Sequence, residues 1–76
     1  MLRTLASELR KARLDHGLSQ GVVARAVGVS RSYVAEVELG RAPGLTIRTA
    51  IGLAAAVGLD LAARLYPGKG HVHDLP

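Results

Sequence analysis

The sequence predicts an all-α fold, a compact bundle of four to five short helices. Three observations carry that expectation. Apolar residues recur at three- and four-residue spacing in four successive segments, a glycine closes each segment (Gly17, Gly28, Gly40 and Gly58), and a hydroxyl residue able to cap a helix stands before three of them (Ser19, Ser30 and Thr46). Seventy-six residues hold one modest core, and with no cysteine present that core must be held by aliphatic packing rather than by disulfides or thiolate-bound metal.

In the first segment Leu5, Leu9, Ala12 and, at its margin, Leu2 share a helical face with Arg10, Lys11 and Arg13 interleaved, as far as Gly17. Ser19 then caps a short helix beginning at Gln20, whose inward positions are Val23, Ala24 and Val27. Ala24 is small enough to let this helix cross the next one closely, and Gly28 takes a backbone conformation that a Cβ would oppose. Ser30 caps a third helix from Arg31 to about Leu39, with Val34 and Val37 turned inward. After the loop 41–45, Thr46 caps a fourth helix with an apolar face of Ile47, Ala50, Ile51, Ala54 and Val57. The segment 60–66 reads two ways: Leu61 and Leu65 lie one helical turn apart, whereas Leu61, Ala63 and Leu65 alternate as in a short C-terminal β-strand. The expected organisation is a domain over 1–66 and a Gly- and Pro-containing tail or linker over 67–76.

Ten Lys and Arg against six Asp and Glu give a net charge of +4, which suits a polyanionic partner. Phe and Trp are absent and only Tyr33 and Tyr66 are aromatic, so the stacking platforms of single-strand binders are missing and duplex binding fits better. No apolar run approaches the ~20 residues of a membrane span, and the first residues lack the apolar core of a secretory signal, so a cytoplasmic protein without membrane contact is expected. His71, His73 and Asp74 could in principle supply three metal ligands, but the tail offers no scaffold to hold them, and neither a metal nor a cofactor is expected. Ser19, Ser30 and Ser32 have capping or exposed roles with no His and carboxylate spaced to activate them, so no enzymatic activity is expected.

Gly17-Leu18-Ser19-Gln20, Ala24, Gly28-Val29-Ser30-Arg31-Ser32-Tyr33-Val34, Glu38 and Gly40-Arg41 together resemble the helix-turn-helix of the phage repressor and Cro (XRE) regulators. The resemblance covers roughly residues 2 to 61 and implies a lambda-repressor-like bundle in which the helix beginning at Arg31 enters the major groove. On that helix 3.6-residue spacing leaves Arg31, Ser32, Ala35 and Glu36 outward as candidate base contacts, Arg31 toward guanine O6 and N7 and Glu36 toward cytosine N4. The resemblance also implies phosphate contacts from Ser19, Gln20, Arg41 and Thr46, with Gln20 bracing the recognition helix as well, and a structural ion pair between Arg13 and Glu38; Tyr33 either reaches phosphate through its hydroxyl or packs half-buried against the core. This chain departs from the family pattern at Gly21, Val22 and Leu39 and in a loop 42–45 one residue longer.

The implied function is a sequence-specific duplex-DNA-binding transcriptional regulator, a repressor acting as a homodimer. Leu59, Leu61, Leu65 and Tyr66 exceed what the small core can absorb and are the candidate dimer interface. Two other readings compete with it: an antitoxin-like interaction module bound to a toxin-like partner, and the N-terminal DNA-binding domain of a longer regulator.

Overall fold

A computed structural model describes residues 2–60, in four helices: α1 (Leu2–Asp15), α2 (Gln20–Val27), α3 (Arg31–Glu38) and α4 (Ile47–Ala56). No strand occurs among the described residues. The helix-or-strand question over 60–66 and the tail from 67 lie outside them, apart from Asp60.

Each of the three later helices begins with a hydroxyl that accepts a backbone N–H the helix itself cannot satisfy. Ser19 Oγ accepts from Val22 N at 3.0 Å, Ser30 Oγ from Tyr33 N at 3.0 Å and Thr46 Oγ1 from Thr49 N at 3.1 Å. The ends are equally defined. At Gly28, with φ of 83°, the chain turns left-handed, and the amides of Gly28 and Val29 both return to the Ala24 carbonyl at 2.8 and 2.9 Å. This reversal lets α3 begin with only three residues between it and α2. Gly58, with φ of 75°, ends α4 in a left-handed conformation that favours glycine, and a Cβ there would also stand 3.0 Å from the exposed His16 ring, which would have to shift slightly.

Leu9 of α1, Val23 and Ala24 of α2, Val34 and Val37 of α3, and Ala50, Leu53, Ala54 and Val57 of α4 meet in one core, joined by Ala42 from the loop. Helix α2 lies against both α3 and α4, and α1 packs on α3. With no Phe or Trp in the chain, small alanines in the core allow close helix packing, and each fully buried Val or Leu contributes roughly 1.5–3 kcal/mol of transfer free energy.

The inward face of α4 departs from the periodicity reading. Ala50, Ala54 and Val57 are buried as expected, but Ile47 and Ile51 are 57% and 50% exposed, and Leu53 is buried instead at 2%. The physical reason is that the periodicity follows the large aliphatics, whereas the buried residues are those opposite Arg48, the one charged residue of α4. Packing makes the choice. The small Ala50 and Ala54 allow close approach, and Leu53 then reaches the interior beside Leu9, Val23, Val34, Val37 and Val57.

Candidate nucleic-acid interface

The unit α2–turn–α3 is fixed from behind by a buried charge cluster. Arg13, 7% exposed, donates from Nε to Glu38 Oε2 at 2.6 Å and from Nη2 to Glu38 Oε1 at 3.0 Å, a bidentate pairing. Its Nη1 donates to the Leu18 carbonyl at 2.7 Å, and Gln20 Nε2 donates to Glu38 Oε1 at 3.1 Å. One guanidinium thereby ties α1, the α1–α2 turn and the last turn of α3, with the first residue of α2 joined through the same carboxylate. Hydrogen bonding to Glu38 raises the Arg13 pKa above the ordinary guanidinium value, against the opposing effect of burial. Among the described residues no buried side-chain polar atom is left without a partner.

Held at its C-terminal end in this way, α3 presents the opposite end to solvent. Arg31, Ser32 and Glu36 are exposed, and Ala35 is half-buried at the edge of that face. Tyr33 is half-buried and packs against the core, so its ring is committed inward. Ser19 and Thr46 are exposed, each with its hydroxyl engaged in capping its own helix; Thr46 Oγ1 also donates to Thr49 Oγ1 at 3.1 Å. Gln20 is half-buried with its amide turned to Glu38, and Arg41 is exposed just beyond Gly40. None of α2, α3 and α4 carries an acid in its first turn, so the partial positive charge of each N-terminus is not offset locally.

Two exposed cations, Arg25 on α2 and Arg48 in the first turn of α4, were not singled out from the sequence. Their signal is a basic residue opposite the buried positions of its helix, readable only once the buried face is known. Of the candidate dimer residues, Leu59 is half-buried and packs against the core, while Leu61, Leu65 and Tyr66 lie outside the described residues. His71, His73 and Asp74 also lie outside them, and among the described residues no group of three or more His, Asp or Glu could hold a metal ion. No helix among the described residues is long and apolar enough to cross a membrane.

No curated protein and no solved structure matches the chain. A family model described as a helix-turn-helix domain matches residues 4–65, which takes in all of α2, the left-handed turn at Gly28 and α3. With that match and this geometry, the chain belongs to the helix-turn-helix domain family, a DNA-binding architecture.

Proposed function

We propose that the chain is a sequence-specific regulator of transcription of the XRE type, a repressor that occupies duplex DNA as a homodimer. The observation that carries this reading is the asymmetry of α3, whose C-terminal turn is pinned through Glu38 while its N-terminal turn stands exposed with Arg31 and Ser32. A short helix held in this way can enter a major groove without losing its seat on the core.

In this reading Arg31 donates two hydrogen bonds to guanine O6 and N7, and Ser32 and Glu36 face neighbouring base edges, Glu36 as acceptor for cytosine N4. Ala35 offers its methyl to the groove at the edge of the face. Ser19, Gln20, Arg41 and Thr46 serve the sugar-phosphate backbone, with Gln20 using the amide hydrogen that Glu38 leaves over. Tyr33 contributes its hydroxyl alone, because its ring is packed inward. A single short helix reads few base pairs, and a two-fold dimer would set two of them ~34 Å apart on one face of the duplex.

Selection of bound duplexes from a random library tests the reading directly. A two-fold repeated consensus supports it, and the absence of enrichment at moderate salt overturns it in favour of a protein-interaction module. On the selected site affinity should fall steeply with salt, and Arg41→Ala should reduce the slope by about one counterion without changing the consensus.

A further inference from the structure

We draw no further inference here: the strongest candidate, the exposed row of Ile47, Ile51 and Ala55 along the outward side of α4, is an apolar surface patch beside Arg48, and nothing in the structure shows what covers it.

Discussion

Helices α3 and α4 are built alike and face outward differently. Both are short, both begin at a hydroxyl cap, and a left-handed glycine follows both within two residues of the last helical position. Both bury their inward residues in the same core. Yet α3 shows solvent Arg31, Ser32 and Glu36, groups that hydrogen-bond and carry charge, whereas α4 shows Ile47, Ile51 and Ala55 with Arg48 at the side. The first face can discriminate among polar edges, and the second offers aliphatic side chains beside a single cation. The comparison teaches that in a small core the scaffold is interchangeable, and that the residues it does not need decide what each helix can meet.

That contrast presupposes that α3 is held from behind, and the largest effect should come from releasing it. Glu38→Ala leaves the Arg13 guanidinium buried without its carboxylate and should remove about 3–5 kcal/mol, much of the stability of a domain this size, in urea denaturation. A loss below 1 kcal/mol would mean that the pair is not what seats α3.

Next in size is the contrast between the two faces of α4. Leu53→Ala should cost about 2–5 kcal/mol by opening a cavity in the core, while Ile51→Ala should stay within ~0.5 kcal/mol when melted at a dilution where the chain is monomeric. Equal losses would show that Ile51 is buried in the folded monomer and would dissolve the distinction. The outward face of α3 is probed by Arg31→Ala, which should lose about 1–3 kcal/mol on the selected duplex and relax one base position per half-site with the melting curve unchanged. The smallest effect tests the likeness of the two helices: Ser30→Ala and Thr46→Ala should each cost about 1 kcal/mol in thermal unfolding. A large inequality would mean that one cap does more than close its helix.

The helices and their boundaries were legible because they are written locally. Ser19, Ser30 and Thr46 stand where the caps are, and Gly17, Gly28, Gly40 and Gly58 all have positive φ. The inward residues of α2 and α3 followed from spacing, since polar residues marked the other side of each. On α4 the same method misplaced Ile47, Ile51 and Leu53, because it followed the large aliphatics instead of the side opposite Arg48, the one charge of the helix. Nor does spacing announce the pairing of Arg13 with Glu38, which are 25 residues apart; it entered only through a family resemblance. The link from Gln20 to Glu38 fits the bracing role that the family resemblance implies, and the inward packing of the Tyr33 ring is one of the two readings its position allowed; spacing alone gives neither contact, because each depends on how two helices cross.

Glu38 is the last residue of α3, and with Glu36 it places two acids near the end of the helix where the peptide dipoles already gather negative charge; α3 has no basic residue of its own in that turn. Arg13 supplies the missing cation from a different helix and takes it out of water while doing so. Grafted alone into another protein, the segment Arg31–Glu38 would therefore carry its sequence but not its electrical balance, and a helix meant to approach a polyanion would arrive with an uncompensated acid at its foot. What can be transplanted is the helix together with the arginine that neutralises it.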